Sequence, residues 1–149
     1  MASLGPWYCD QCGQTIDDAS GRDVGSGYVL WHPRGGDENY RIVHKVRCDD
    51  DTYPSSAPLE NFLGPDGLVR LTSFLSLGPI MGALGQRRTS GVEDLDGFVD
   101  FVRRVQVPGY EEARRRYDDP DVIQRFSDAT ETYPYLQEAI RALMTPATR

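Results

Sequence analysis

The segment Trp7–Ile16, which reads WYCDQCGQTI, contains two cysteines that are separated by two residues and followed at once by a glycine. A chain with this spacing can wrap around a metal ion so that backbone N–H groups point at both thiolates. Gly13 relieves the left-handed turn that closes such a loop. The chain has a third cysteine, Cys48, and an odd number of cysteines argues against a disulfide framework. The segment therefore predicts half of a metal site.

The same segment resembles the zinc knuckle of zinc-ribbon and treble-clef proteins, and the resemblance covers about the first third of the chain. It implies a zinc ion, and a structural zinc site needs four ligands. Cys9 and Cys12 supply two of them, and His44 and Cys48, in the pattern H-x-x-x-C, are the natural second pair. A closed site of three cysteines and one histidine keeps no open coordination position, so this zinc is expected to be structural rather than catalytic.

The spacing between His44 and Cys48 sets a condition on the backbone. In an extended strand, residues four apart are separated by roughly 13 Å, at about 3.3 Å per residue. The donor atoms of two ligands of one zinc ion lie less than about 4 Å apart. The chain must therefore turn after His44, or residues 44 to 48 must form one helical turn.

Three alternatives to this ligand set remain open. His32, at the end of the preceding predicted strand, could replace His44 as the fourth ligand. Cys9 and Cys12 could form a thioredoxin-type redox pair, but that motif normally opens a helix, whereas the residues after Gly13 are of β type. The cysteines could also be ordinary buried residues.

In the first third of the chain, glycine and proline separate short β-type runs. Residues 28–31 and 41–46 predict two strands, and 33–37 predict the turn between them, so the pair is expected to form a hairpin. Residues 49–58 are rich in Asp, Ser and Pro and predict a polar linker. We therefore predict a small zinc-binding β module over residues 1–53.

After this linker the apolar residues recur at helical spacing. Asp66 is the expected N-cap of a helix over 67–77, which Gly78-Pro79 ends. This helix is apolar around most of its circumference, so we expect it to be the buried central element. Ile80–Gly85 predicts a loop or a frayed turn. Further helices are predicted over residues 95–106 with Asp94 or Ser90 as N-cap, 110–117, 120–129 with Asp119 as N-cap, and from 133 onward.

Together these patterns predict an α+β protein, in which a small zinc-bound β-hairpin module packs against a bundle of four to five short α-helices. The helical domain is expected over residues 58–149. The two parts should share an interface, because helix 67–77 has more apolar surface than its own bundle can cover. Aromatic residues of the module are expected to supply the other side of that interface: Trp7, Tyr8, Tyr28 and Trp31.

The composition excludes several classes of protein. The 149 residues are 39% hydrophobic and 26% charged, and they carry a formal net charge of −7. This acidic balance argues against a general nucleic-acid binder, whose affinity depends on Lys and Arg displacing counterions from phosphates. The sequence contains no run of about 18 apolar residues, and so it predicts no membrane span. The start of the chain lacks the basic and apolar regions of a signal peptide, so we expect a cytoplasmic protein.

The arginines of the helical part also argue against a general nucleic-acid binder. Asp100 precedes Arg104, and Glu111 precedes Arg115, by four residues in each case. An acid placed before a base at this spacing is typical of solvent-exposed helix pairs. Arg87-Arg88 has no such acid before it, and this loop is the first candidate to bind a phosphate or an acidic partner.

Catalytic signatures are missing from the sequence, which contains no G-x-S-x-G, no P-loop and no G-x-G-x-x-G. Both histidines lie in the region of the predicted metal site, which leaves none for general-base catalysis. We therefore expect a non-enzymatic, zinc-containing regulatory or adaptor protein that binds another protein, with a partner that presents a basic surface. The alternative is a nucleic-acid-binding regulator of the transcription type, which would use the zinc module and the loop at Arg87-Arg88.

Overall fold

A computed structural model describes residues 4–32, 40–86 and 92–144, in which two small antiparallel sheets combine with short helices. The predicted α+β class is confirmed. Two 3-10 turns, Leu59–Phe62 and Tyr133–Tyr135, occur among the helices. The strands are β1 (Trp7–Tyr8), β2 (Thr15–Ile16), β3 (Gly27–Trp31), β4 (Arg41–His44) and β5 (Ser55–Pro58). The α-helices are α1 (Gly64–Ser73), α2 (Gly78–Ala83), α3 (Leu95–Gln106), α4 (Tyr110–Arg114), α5 (Pro120–Arg125) and α6 (Gln137–Met144).

The C-x-x-C-G segment, which belongs to one sheet, lies close to the end of β4, which belongs to the other. β1 and β2 form a hairpin that encloses the C-x-x-C-G segment. The other sheet has the order β4-β3-β5 with antiparallel pairs. The predicted hairpin of β3 and β4 is confirmed, with Gly27 opposite His44, while its turn at 33–37 lies outside the described residues. His44 therefore ends β4 on the side of the sheet where β3 begins.

The predicted polar linker is wrong over Ser55–Pro58, which forms strand β5. This segment pairs antiparallel with β3, with Trp31 opposite Ser55 and Tyr28 opposite Pro58. Its composition gives no strand signal, and the pairing comes from the backbone groups that β3 offers on the side away from β4. The proline is tolerated because it lies at the last position of an edge strand, where a missing N–H breaks no central pairing.

The predicted caps hold for two helices and fail for one. The Asp94 side chain accepts a hydrogen bond from Gly97 N at the start of α3, and Asp119 accepts one from Asp121 N at the start of α5. The first helix begins at Gly64 rather than after Asp66, since the proline that follows Gly64 suits the first helical turn. Residues 80–85 are predicted as a loop or a frayed turn, but the first four of them belong to helix α2, which begins at Gly78. None of the helices in the described ranges combines the length and apolarity of a membrane span.

The prediction that the first helix is buried all round is wrong. Within α1 only Gly67 and Leu71 are buried, and 47% of Leu68 is exposed. The central position belongs to α3 instead, where Phe101 and Val105 are fully buried. An apolar circumference predicts that a helix is buried, but it does not show how many neighbouring elements the fold packs against it.

The buried residues within the described ranges form two cores. The larger core combines sheet residues with α1 and α3, and so includes residues from both sides of the predicted boundary at 53–58. The smaller core lies among α4, α5 and α6. The β module and the helices share the expected interface. The buried indole of Trp7 donates from Nε1 to the Arg104 carbonyl oxygen at 3.0 Å, and Trp31 contacts Phe62 edge-on.

Candidate metal centre and a groove between two helices

Four side chains from two segments meet at one point beside the sheets. Cys9 and Cys12 come from the loop between β1 and β2, His44 ends β4, and Cys48 lies in the turn that follows. One donor atom from each of these residues lies within 4.8 Å of all the others. The four residues predicted from the sequence are thus brought together in an arrangement that can hold a metal ion.

The loop between the two cysteines has the predicted knuckle geometry. The backbone N–H groups of Gln11 and Cys12 approach the Cys9 Sγ, with N···S distances of 3.4 and 3.5 Å. Gly13 has a φ of 78°, in the left-handed region that a residue with a side chain adopts at a cost. Its N–H donates to the Cys9 carbonyl at 2.9 Å, which closes the turn.

The chain turns after His44, as the distance between the two predicted ligands required. Strand β4 ends at His44, and Cys48 N donates to the His44 carbonyl at 3.2 Å, closing a single turn. Val46 within this turn has a φ of 63°. A β-branched residue rarely adopts that conformation, and residues held in this way concentrate at sites where the surrounding structure imposes the geometry.

The imidazole of His44 is oriented for binding through Nδ1. This atom lies 3.4 Å from the Cys12 Sγ and 3.6 Å from the Cys48 Sγ. For tetrahedral zinc, bond lengths of about 2.3 Å to sulfur and about 2.05 Å to nitrogen give an S···N separation of about 3.6 Å. The other ring nitrogen, Nε2, lies 3.1 Å from the Thr15 carbonyl oxygen, which accepts its proton in the tautomer that leaves Nδ1 for the metal.

His32 lies elsewhere among the described residues. Its ring packs on Tyr53 with a centroid distance of 4.5 Å and a tilt of 34°. The donor cluster found in the described part of the chain contains His44 and does not contain His32. Of the two histidines that the sequence offered, the structure therefore brings only His44 to the cysteines.

The thiols of the cluster differ in electrostatic environment. A hydrogen bond from the backbone of Gln14 and another from the guanidinium of Arg47 lower the pKa of the exposed Cys12 thiol to about 6. Burial raises the pKa of Cys48. The Arg47 Nη2 lies 3.5 Å from the Cys12 Sγ, so a positive charge stands beside a cluster that becomes anionic when its thiols ionise.

Sequence reasoning missed the residues that surround the four donors. Thr15 orients His44, and Arg47 contacts a thiol, although neither belongs to a recognisable pattern. Asp10, between the two knuckle cysteines, accepts hydrogen bonds from Ile42 N at 2.8 Å and from the guanidinium of Arg104 at 2.7 Å. Its position inside C-x-x-C is the signal that could have drawn attention to it.

The prediction that Arg104 belongs to a solvent-exposed pair with Asp100 is wrong. Arg104 is 2% exposed and binds Glu111 and Asp10. Asp100 instead binds Arg114 at 2.7 Å. The buried face of α3 takes Arg104 away from the helix surface, and acids from other elements neutralise it. Arg87 and Arg88, the other candidate binding residues, lie outside the described residues.

An apolar groove of about 260 Å³ runs between α1 and α3. At the C-terminal end of α3, the Gln106 amide donates to the carbonyls of Phe62 at 2.8 Å and Gly64 at 3.0 Å. This contact places the end of α3 beside the start of α1, so the two helices run in opposite directions. Residues lining the groove are Leu68, Leu71, Thr72 and Leu75 on one side and Phe98, Val99, Val102 and Arg103 on the other.

Comparison of the chain with protein-family models, with curated proteins and with solved structures gave no match. The cluster of donors and the groove are therefore the features from which a function can be inferred.

Proposed function

We propose that this chain is a non-enzymatic adaptor or regulatory protein, in which a structural zinc ion holds the β module together and the helical part binds a segment of another protein. The groove between α1 and α3 is the observation that carries the binding role. Its walls include three partly exposed side chains, Leu68 at 47%, Leu75 at 41% and Val99 at 37%. Apolar surface of this kind is stabilised by leaving water, and contiguous exposed patches mark interaction sites.

The donor set favours zinc as the metal. Three thiolates and one imidazole form one of the usual ligand sets of structural Zn²⁺, whereas Mg²⁺ and Ca²⁺ prefer oxygen. Four protein donors leave no open position, which favours a structural role. Metal binding contributes about 10–16 kcal/mol to the folding of small zinc peptides. The β module has need of such a contribution, because β1 and β2 contain two residues each.

The proposed occupant of the groove is one amphipathic helix of a partner protein. Leu68, Leu71 and Leu75 recur at helical spacing along one wall, over a length of about 10 Å or two helical turns. A partner helix with aliphatic residues at i, i+3 or i+4, and i+7 presents a matching stripe.

Charges near the groove favour basic residues on this partner helix. Asp96 is the second residue of α3, at the end of the groove where Leu75 lies. The net charge of −7 also attracts a basic partner over longer distances. At the opposite end lies Arg103, whose guanidinium stacks on the Tyr135 ring at 3.6 Å.

The experiment is a fluorescence-anisotropy titration of the full chain with a designed, labelled helical peptide of about four turns. One face of the peptide carries leucines and the other carries lysines. A second peptide carries glutamates in place of the lysines. We expect saturable binding of the lysine peptide and no binding of the glutamate peptide at the same concentrations, because the charges near the groove and the chain as a whole are acidic.

Two protein variants distinguish binding in the groove from non-specific hydrophobic binding. Leu75→Ser is expected to weaken binding of the lysine peptide by about tenfold, or about 1.4 kcal/mol, because it removes a groove side chain. Ile123→Ser changes an exposed apolar residue on α5, outside the groove lining, and is expected to leave affinity unchanged. Equal effects of the two variants contradict the docking role. A dimer in sedimentation that Leu75→Ser abolishes would assign the groove to a second copy of the chain.

A further inference from the structure

The guanidinium of Arg104 joins the β module, which contains the candidate metal centre, to the helices. Arg104 lies on α3 and is 2% exposed, and the Glu111 side chain on α4 is 3% exposed. Nε and Nη2 of Arg104 donate to the two carboxylate oxygens of Glu111, each at 2.7 Å. Nη1 donates to the Asp10 carboxylate at 2.7 Å, and Nη2 also approaches the Tyr8 carbonyl at 3.2 Å. The buried guanidinium thus binds Asp10 of the β module and Glu111 of α4 at the same time.

Asp10 is placed by the same two segments that supply the four donors. It lies in the knuckle between Cys9 and Cys12, and its N–H donates to the Ile42 carbonyl at 2.8 Å. Its carboxylate accepts the N–H of Ile42 at 2.8 Å, so Asp10 is bound to β4 two residues before His44. A metal ion that ties the knuckle to His44 therefore also fixes the position of the Asp10 carboxylate.

On the Glu111 side of Arg104, α4 contacts the β module as well as α3 and α6. Tyr8 N donates to a Glu111 oxygen at 3.0 Å. Buried residues of α4, Tyr110 and Ala113, belong to the smaller core with Ile140 of α6. A change in the partners of Arg104 thus acts on the helix that connects the two cores.

We propose that the Asp10–Arg104–Glu111 bridge transmits occupancy of the metal centre to the packing of α4. With metal bound, the knuckle is fixed, Asp10 remains against Arg104, and α4 is held by Glu111. Without metal, the knuckle loosens and Asp10 leaves the guanidinium, so one buried charge loses a partner and α4 opens more often. Asp10 is a positioning residue in this scheme and not a metal ligand. The inference rests on the proposed metal site.

The experiment is hydrogen exchange with mass spectrometry on the full chain, in the metal-loaded form and after chelation, with metal content measured in parallel. In the wild type, chelation is expected to speed exchange of the α4 amides by about tenfold or more. Asp10→Asn keeps all four donors and should retain the metal. In its loaded form α4 already exchanges faster, and chelation adds little. Asp17→Asn, which changes an exposed carboxylate close to the same hairpin, is the matched control and should behave like the wild type.

Each result decides between the bridge and the metal site. A metal-loaded Asp10→Asn protein whose α4 exchanges like that of Asp17→Asn overturns the bridge, and so does a wild-type α4 that chelation leaves unchanged. If chelation unfolds the whole chain, the comparison of the two loaded variants still decides. A protein that purifies without metal and gains none on zinc addition overturns the proposed site together with its metal dependence. If the protein contains metal but the exchange of the α4 amides does not respond to chelation, only the inference about the bridge is overturned.

Discussion

Replacement of His44 by alanine is the sharpest test of the candidate metal centre, because the chain contains a second histidine as an internal control. His44→Ala removes one of the four donors and also the ring that contacts the Thr15 carbonyl. His32→Ala removes a ring that contacts Tyr53 and no member of the donor cluster. The two variants have the same chemistry and opposite expected outcomes.

The expected magnitude follows from known metal sites. Loss of a residue that only supports a metal ligand costs about 10–100-fold in metal affinity, and loss of a ligand costs more. We therefore expect His44→Ala to lose more than about 100-fold in zinc affinity, which is about 2.7 kcal/mol or more. That is a large share of the 5–15 kcal/mol that stabilises a typical domain. For His32→Ala, loss of one aromatic contact costs about 0.5–1.5 kcal/mol and leaves zinc binding intact.

The assay combines zinc content after gel filtration with denaturant unfolding, both with and without a chelator. Wild type and His32→Ala are expected to hold one zinc per chain, and a chelator should lower their free energy of unfolding. His44→Ala should hold little zinc and respond little to the chelator. Retention of zinc and of the response to the chelator in His44→Ala would exclude His44 as a ligand. Loss of zinc from His32→Ala instead would transfer the fourth ligand position to His32.

Three further outcomes are expected from the site and the charge. After chelation, alkylation of Cys12 should slow as the pH falls below about 6, because the pKa of this exposed thiol is lowered to about 6 and only the thiolate reacts; a flat rate between pH 5 and 8 contradicts this. Arg47→Ala should weaken zinc binding by about tenfold, and Arg47→Lys by less, as read by competition with a chromophoric chelator. Random duplex DNA should not bind at physiological ionic strength in a gel shift, and micromolar binding that Arg87→Ala/Arg88→Ala removes would favour the nucleic-acid alternative.

The candidate metal centre was predictable because its chemistry is local. Cys9 and Cys12 identify themselves by their spacing and by the glycine that follows them. The turn after His44 follows from a distance argument alone, since two ligands of one ion cannot lie four residues apart along a straight strand. The sequence favoured His44 and left His32 open as an alternative, because the final choice depends on the register of β3 and β4, which sets where the end of β4 lies.

The failures have a common physical cause, which is that contacts with other elements of the fold decide outcomes that a local pattern does not contain. Strand β5 has a linker's composition and becomes a strand because β3 offers it an edge. Arg104 has an acid four residues before it, yet its partners are Glu111 and Asp10, the latter 94 residues away. Helical periodicity showed that the segment around Leu68 is apolar, but not that one side of it would remain without cover.

The two faces of α3 connect the proposed zinc site with the proposed groove. Phe101, Arg104 and Val105 are spaced to share the buried face, and Val99 and Val102 are spaced to share the face that lines the groove. Phe101 and Val105 hold the buried face by close packing. Arg104 adds a directional constraint, because a shift of the helix would leave its buried charge without a partner. These three residues together set which side of α3 faces the β module. If the proposed zinc ion holds Asp10 in place, it also contributes to the orientation of α3, and so to the side of α3 that lines the proposed groove.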